Sequence, residues 1–297
     1  MRVVPSQMYS DLLANLQADR QNVNLAVEQA SSGKSIANLS DNPLAAGQLV
    51  LSNAQIADLD QFSYSISTVQ GSLNTADSAL NSVVGSLTQA VSVGTEAAGG
   101  TLSSTELQAL GQQVDQVLQQ VVGLANTTYQ GNYVFAGTAV KQQPYNSSGV
   151  YAGNSSVNSV EVGEGQTVSL GLSGSAIFGA PSAAGQPDLT FQYLSNLSSD
   201  IKAGDYNAIT ADITNVQSSL NNVIAQRSSY GDILQQLNSD STNLSQQKLT
   251  LQQYQTNLIG VDEAQVATNL TQSQTTLEAA IAAASRVSQD SLINYLK

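Results

Sequence analysis

From Tyr206 to Leu258 the chain carries sixteen positions in an unbroken 3-4 spacing, and twelve of them are apolar. The run is Tyr206, Ile209, Ile213, Val216, Leu220, Val223, Arg227, Tyr230, Leu234, Leu237, Ser241, Leu244, Lys248, Leu251, Gln255 and Leu258. A period of 3.5 keeps one stripe of a helix turned to a partner helix over its whole length. At 1.5 Å per residue such a helix is about 80 Å long, several times the usual globular length. The pattern predicts a rod of paired helices, because a helix of that length cannot wrap a compact core.

Weaker stripes mark the other helices. One runs from just after Pro5 to about Ser31, with Tyr9, Leu12, Leu16, Val23, Val27 and Ala30 on one side, interrupted by Asp19 and Arg20. A second carries Ile56, Leu59, Phe62, Ile66, Val69, Leu73, Ala76, Leu80, Val83, Leu87 and Ala90, and the pattern stops it at Gly94, Gly99 and Gly100. Ser103-Ser104-Thr105-Glu106 reads as a capping box that starts a third, with Leu107, Leu110, Val114, Val117, Val121 and Leu124. Phe191, Leu194, Leu197 and Ile201 give a short helix ending near Gly204. Beyond Gly260 and a cap at Asp262, the last stripe is Val266, Leu270, Ser273, Leu277, Ala280, Ala284, Val287 and Ser291.

Between the helical halves the punctuation changes. Residues 44–143 and 188–297 contain no proline, while ten of the 22 glycines fall between Gly131 and Gly185. Tyr133-Val134-Phe135, Val160-Glu161-Val162 and Thr167-Val168-Ser169-Leu170 are short β-type runs in that stretch. The fold expected is mainly α: a long antiparallel helical-bundle or coiled-coil rod, with a small β-rich insert at the far end and the N- and C-terminal helices paired. Three domains follow: 1–43 with 260–297, 44–131 with 188–259, and 132–187. Each terminal helix has only one narrow apolar stripe, so the pair is expected to take its order from neighbouring subunits.

Composition narrows the function. Hydrophobic residues make up 41%, enough for real cores, but charged residues only 10%, against about 25% in a typical soluble protein. Polar faces written in Ser, Thr, Asn and Gln can be covered by neighbours without the desolvation penalty of ions. A net charge of −13 argues against nucleic acid and against anionic membranes. No run approaches the length of a membrane span, and the opening residues lack the apolar core of a secretory signal. With no Cys and no His, disulfides, thiolate sites and the usual zinc or haem ligands are excluded. No cofactor or metal site is expected.

Candidate chemistry is sparse. Ser31-Ser32-Gly33-Lys34 matches the Ser-x-x-Lys spacing of some acyl-enzymes, without their other motifs. Gly33-Lys34 lacks the upstream glycine and strand of a phosphate loop. Glu161 and Glu164 offer a carboxylate pair of the kind used in glycoside hydrolysis, although both read equally as solvated turn residues. Arg227, Ser241, Lys248 and Gln255 interrupt the long stripe. Lys248 reads as an apolar stem laid on the seam, whereas Arg227 fits that role or a role in fixing register. Leu12, Leu16, Val23 and Val27, opposite Leu270, Leu277 and Ala284, are the candidate assembly contacts.

Several segments resemble the bacterial flagellin family in order and spacing. They are Met1-Arg2-Val3 with Gln7-Met8-Tyr9 and Asn15-Leu16; Ser32-Gly33-Lys34 and Ser40-Asp41-Asn42-Pro43-Leu44-Ala45-Ala46; and Gly131-Asn132-Tyr133-Val134-Phe135-Ala136-Gly137-Thr138. Arg227-Ser228-Ser229-Tyr230-Gly231 and the stretch from Asp262-Glu263-Ala264 to Leu292-Ile293-Asn294-Tyr295-Leu296 complete the likeness. It covers residues 1–143 and 188–297, and Pro43 tilts it toward the family's junction subunits between hook and filament. The resemblance implies a non-catalytic structural subunit, exported through the flagellum by the type III apparatus without a cleavable signal and located outside the cell. Implied partners are other copies in a ring, the preceding hook-associated junction protein, flagellin of the filament, and a cytoplasmic export chaperone on the C-terminal helix. A small flagellin that forms the filament itself is the alternative within the family. A carboxylate-based hydrolase in the insert is the alternative outside it.

Overall fold

The computed structural model describes residues 5–36, 42–156, 158–169 and 173–295; the side chains of residues 5–6, 8–9 and 287–295 lie outside that description. The opening Met1-Arg2-Val3, the Ser40-Asp41 pair, Leu170 and the side chains of Tyr9, Val287 and Ser291 are therefore among the expectations it does not reach. Seven helices and four short strands follow in chain order: α1 (Pro5–Ser32), α2 (Pro43–Ala97), α3 (Ser104–Ala125), β1 (Thr128–Tyr129), β2 (Asn132–Tyr133), β3 (Ser159–Gly163), β4 (Gln166–Ser169), α4 (Gly174–Phe178), α5 (Leu189–Ala203), α6 (Tyr206–Ile259) and α7 (Glu263–Tyr295). The chain divides into two compact units, Met1–Asp58 with Gln246–Lys297, and Leu59–Ser245.

The helix starts have local causes. Asn42 accepts the Ala45 amide at 3.2 Å and Pro43 fills the first helical position of α2, where a missing N–H does no harm. At α3 the capping box is complete: Glu106 takes the Ser103 amide at 2.7 Å and the Ser103 hydroxyl accepts the Glu106 amide. Asp262 accepts the Ala264 and Gln265 amides ahead of α7. Gly204, in the left-handed region at φ 73°, closes α5.

In the second unit α2 and α6 run antiparallel, and α3 and α5 complete a four-helix bundle. Gly94 of α2 lies against Ile213, Asp77 meets Arg227, and Gln70 donates to Asn238 at 2.9 Å. The core repeats every seven residues on both long helices: Ile209, Val216, Val223, Tyr230, Leu237 and Leu244 are buried on α6, and Leu59, Ile66, Leu73, Leu80 and Leu87 on α2. This is the seam that the apolar period predicts. α3 and α5 are tied by the Lys202–Asp115 ion pair and by Ser198 Oγ, which donates to the Gly111 carbonyl at 3.0 Å.

The insert sits at the far end of the α3–α5 pair, where it lies beside the middle stretch of α2 and α6. Tyr129 reaches Gly71 of α2, and Asn222 of α6 donates to the Ile177 carbonyl at 2.7 Å. Its two sheets are antiparallel hairpins, β1 with β2 and β3 with β4. The first turns through Gln130 and Gly131, both at positive φ, the geometry of a tight type I′ turn. Three of the chain's four phenylalanines, Phe135, Phe178 and Phe191, stack with Tyr145 and Tyr151 at centroid distances of 4.9–6.2 Å. Within that core the Tyr145 hydroxyl donates to Asp188 Oδ2 at 2.7 Å, while Asp188 Oδ1 is buried without a partner. Burial pushes Asp188 up to about 6, against the pull of the Tyr145 hydrogen bond.

Four local expectations change. Gly94 does not stop α2; it lies inside the helix, and a Cβ there would stand 2.9 Å from Ile213 and 3.3 Å from Leu197. The break comes after Ala97. Val134 and Phe135 are turn residues, since β2 ends at Tyr133. The five-residue α4 has no apolar period long enough to announce it. On α1 the inward stripe passes through Ala26 and Gln29 rather than Val27 and Ala30, and Gln29 donates to the Ser35 carbonyl at 3.1 Å.

Gly94→Ala and Gly85→Ala should therefore shift stability in opposite directions, although both sit inside the same helix. Nothing lies within 4 Å of a Cβ at Gly85, so alanine there should stabilise by up to about 1 kcal/mol. At Gly94 overpacking should destabilise by about 1–3 kcal/mol. Urea unfolding of the two variants is the check.

Candidate assembly surfaces

Polar crossings punctuate the α2–α6 seam. Arg227 holds Asp77 with two nitrogens, Nε to Oδ1 at 2.8 Å and Nη2 to Oδ2 at 3.3 Å, and donates through Nη1 to Asn81 at 2.9 Å. This fork matches a carboxylate in a way a lysine cannot. Asp77 draws the Arg227 guanidinium still further toward its charged form. In the first unit Gln255 donates to Ser52 at 3.1 Å and to Asn53 at 2.9 Å. Ser241 and Lys248 are half-buried on the same stripe. Because the apolar seam repeats every seven residues, it accepts a seven-residue slip; these unlike polar pairs do not.

The first unit is built differently. α1 packs on α7, and the chain segments that join them to α2 and α6 meet through a Lys34–Gly260 bridge, with the Ser35 amide donating to the Ile259 carbonyl at 2.6 Å. Leu12, Leu16 and Val23 on α1 and Leu270, Leu277 and Ala284 on α7 are half-buried, while Val27 is 46% exposed. The apolar period picks out six half-buried positions and misplaces Val27. It misses a second set, apolar but off the stripe: Leu13 and Leu25 on α1, Leu44, Val50 and Leu51 on α2, Leu249 and Tyr254 on α6, and Ile281 on α7. Their signal was in the sequence as leucines and isoleucines in positions the stripe assigns to water.

Among the described residues, nine of the twelve large hydrophobic side chains left exposed belong to this first unit. Of the 41 described residues that are apolar and buried, 36 belong to the second. The second unit thus has a core of its own, while the first turns apolar side chains outward from every helix it contains. Large exposed apolar faces are the surfaces on which proteins meet other proteins, which makes this unit the candidate assembly surface.

The remaining candidate chemistry is taken up by local structure. The Ser31 hydroxyl donates to the Glu28 carbonyl at 3.0 Å, and Ser32 Oγ accepts the Lys34 amide. Glu161 accepts the Gly165 amide across the β3–β4 turn at 3.2 Å, with Glu164 exposed beside it. Among the described residues no helix is long and apolar enough to cross a membrane, and no cluster of three or more metal-ligating side chains occurs.

Paired terminal helices, a heptad seam and outward apolar faces define a helical structural subunit. Comparison with known proteins identifies its kind. Residues 5–140 match the bacterial flagellin N-terminal helical region and residues 213–296 the bacterial flagellin C-terminal helical region. The chain belongs to the bacterial flagellin family. It is 27% identical to the flagellar hook-associated protein 3 of Salmonella typhimurium, over 94% of each chain. It is 29% identical to that of Escherichia coli, over 85% of this chain and 86% of the other. FlgL of Bacillus cereus shares the fold at a TM-score of 0.61 and 25% identity, covering 69% of this chain and 99% of that one.

If the Arg227 fork sets register, Arg227→Met should destabilise by about 1–2 kcal/mol, the scale of hydrogen bonds to charged groups. Combined with Asp77→Asn, the loss should be less than additive. The chain has no cysteine, so disulfide trapping reads register directly. Cysteines at Gln70 and Asn238 should cross-link in the parent. Cysteines at Gln70 and Ser245, seven residues on, should cross-link only once Arg227 is replaced; a failure to do so, with stability unchanged, removes the register role.

Proposed function

We propose that this chain is the structural subunit joining hook to filament in the bacterial flagellum, assembling as a ring through its terminal helices and performing no catalysis. The observation that carries the reading is the contrast between the two units. A family member that worked alone would not leave nine large apolar side chains uncovered in the unit built from its termini. Fully burying one such side chain contributes about 1.5–3 kcal/mol, so a repeated contact between copies needs only a few of them. The likeness to hook-associated protein 3 of two bacteria supports that place in the flagellum.

On this reading residues 1–43 with 260–297 form the assembly domain. Residues 44–131 with 188–259 form the rod, and 132–187 a surface domain. The half-buried set of Leu12, Leu16, Val23, Leu270, Leu277 and Ala284 holds α1 to α7, and the outward set meets neighbouring copies. Partners are further copies in the ring, the preceding hook-associated junction protein on one side and flagellin on the other. Before assembly the chain is held by an export chaperone on α7 and passes through the flagellar type III apparatus to the cell exterior. The low charge fits flanks that end inside an assembly, where ions would be desolvated.

Ile281 is 47% exposed on α7, so Ile281→Asp should abolish incorporation into flagella while the thermal unfolding of the second unit stays unchanged. Leu277→Asp should abolish incorporation too, with loss of the α1–α7 pair. Labelled antibody on intact flagella gives the place: a band at the hook tip fits a junction subunit. Decoration along the whole length would make the chain a small flagellin instead, and normal incorporation of Ile281→Asp would remove the assembly surface.

A further inference from the structure

One acid at the joint between the insert and the bundle has no part in the assembly reading. Asp188 stands where the chain leaves the insert and enters α5, in the N-cap position. A carboxylate there ordinarily accepts the free amides of the first turn, yet the Asp188 side chain caps nothing. Its main-chain carbonyl takes the Phe191 and Gln192 amides, each at 3.0 Å. The side chain turns inward instead and is 0% exposed.

Its surroundings are aromatic. The Tyr145 ring lies 4.9 Å from that of Phe191, 5.5 Å from Phe178 and 5.1 Å from Tyr151, centroid to centroid. Asp188 Oδ2 accepts the Tyr145 hydroxyl at 2.7 Å, and Oδ1 meets no donor among the described residues. The titratable groups that face it are the two phenols. Burial raises both, and the Tyr151 hydroxyl donates to the Phe135 and Asn154 carbonyls. The three cations of the second unit are engaged elsewhere: Lys141 by the Gly131 carbonyl, Lys202 by Asp115 and Arg227 by Asp77. Glu161 and Glu164 are exposed on the β3–β4 hairpin. A carboxylate in such a place loses its hydration and regains one hydrogen bond, so the neutral acid is the form its surroundings favour. Residues 144–151 close over it and are held at the same point by the main chain. The Asp188 amide donates to the Gly149 carbonyl at 3.1 Å, and Val150 bridges to Pro187.

We propose that Asp188 is a proton-held latch: its neutral carboxyl seals residues 144–151 onto the start of α5, and its ionised form draws water in and loosens that seal. The proton lost goes to solvent, and the Tyr145 O–H donates to Oδ2 in both states. Burial, against the pull of that hydrogen bond, places the change at about 6. Aspartates of the unfolded chain titrate near about 3.9, so the folded insert binds the proton more tightly. The latch's contribution is full below about 4 and is lost as the pH rises through about 6. The insert is thus tightest in acid, whatever the terminal helices assemble with.

The Asp188 carboxyl carbon would be followed by NMR in the full chain from pH 3 to 8, together with the protection of the Asp188 amide against hydrogen exchange. The carboxyl should titrate near 6, and the protection factor should fall by up to about tenfold per pH unit from 4 to 6. Asp188→Asn stays neutral and still offers an oxygen to the Tyr145 hydroxyl, so it should hold the protection factor level across that range. Tyr145→Phe removes the bond that favours the anion and should move the titration above 6. Burial raises Asp212 to about 6 as well, which adds to the pH dependence of global melting but not to the Asp188 carboxyl signal. A carboxyl that titrates near 4, or a protection factor that does not fall between pH 4 and 6, would overturn the proposal. Should a variant fail to fold, these two readouts on the parent protein decide alone.

Discussion

A seam that repeats every seven residues is the constraint on which the rest of the structure depends. Two helices of 55 and 54 residues can stay in contact along their length only if the apolar stripe does not drift around either of them. Both meet that condition, with one fully buried side chain per heptad on α6 from Ile209 to Leu244. The solution brings a weakness with it: a perfect repeat does not say which heptad faces which. Residues that break the repeat are the candidates for supplying that specificity. Arg227 with Asp77 and Asn81, Gln70 with Asn238, Gln255 with Ser52 and Asn53, and the tight fit of Gly94 on Ile213 each occur once.

The same helices serve two kinds of interior. Where α3 and α5 join them the apolar faces are closed within one chain. In the unit built from the termini no second pair closes over them in the same way, and apolar side chains are left facing outward. Those side chains need not differ in kind from core residues; on the assembly reading proposed above, what differs is that their partners lie on other molecules. Serine and threonine hydroxyls along the long helices bond back to the carbonyl four residues earlier, as at Ser78, Ser82 and Ser86. Their polar groups are thus satisfied within the helix, and a neighbour can cover them without stranding a donor.

Much of this was legible in the sequence because helix periodicity is a local signal. The α6 stripe, the Ser103–Glu106 box and the Gly204 stop each depend on residues a few positions apart. Gly94 misleads because one residue type serves both as a helix breaker and as the only side chain that fits a crowded crossing. Val27 misleads because bulk was read as burial, whereas α1 turns the smaller Ala26 inward. The pairs that matter for electrostatics escaped altogether. Arg227 with Asp77 and Tyr145 with Asp188 join different elements, and no spacing rule brings them together. The flagellin likeness rests on ordered motifs and not on these contacts, so it identified the family while leaving the contacts unseen.

The central claim, that apolar faces of the terminal unit are finished only by neighbouring copies, can be measured by amide hydrogen exchange. Protection along α1 and α7 would be compared between the isolated subunit and intact flagella. Exchange in both helices should slow by orders of magnitude on assembly, while the buried stretches of α2, α3 and α5 in the second unit stay protected in either state. Terminal helices already as slow to exchange in the lone subunit as that core would contradict it.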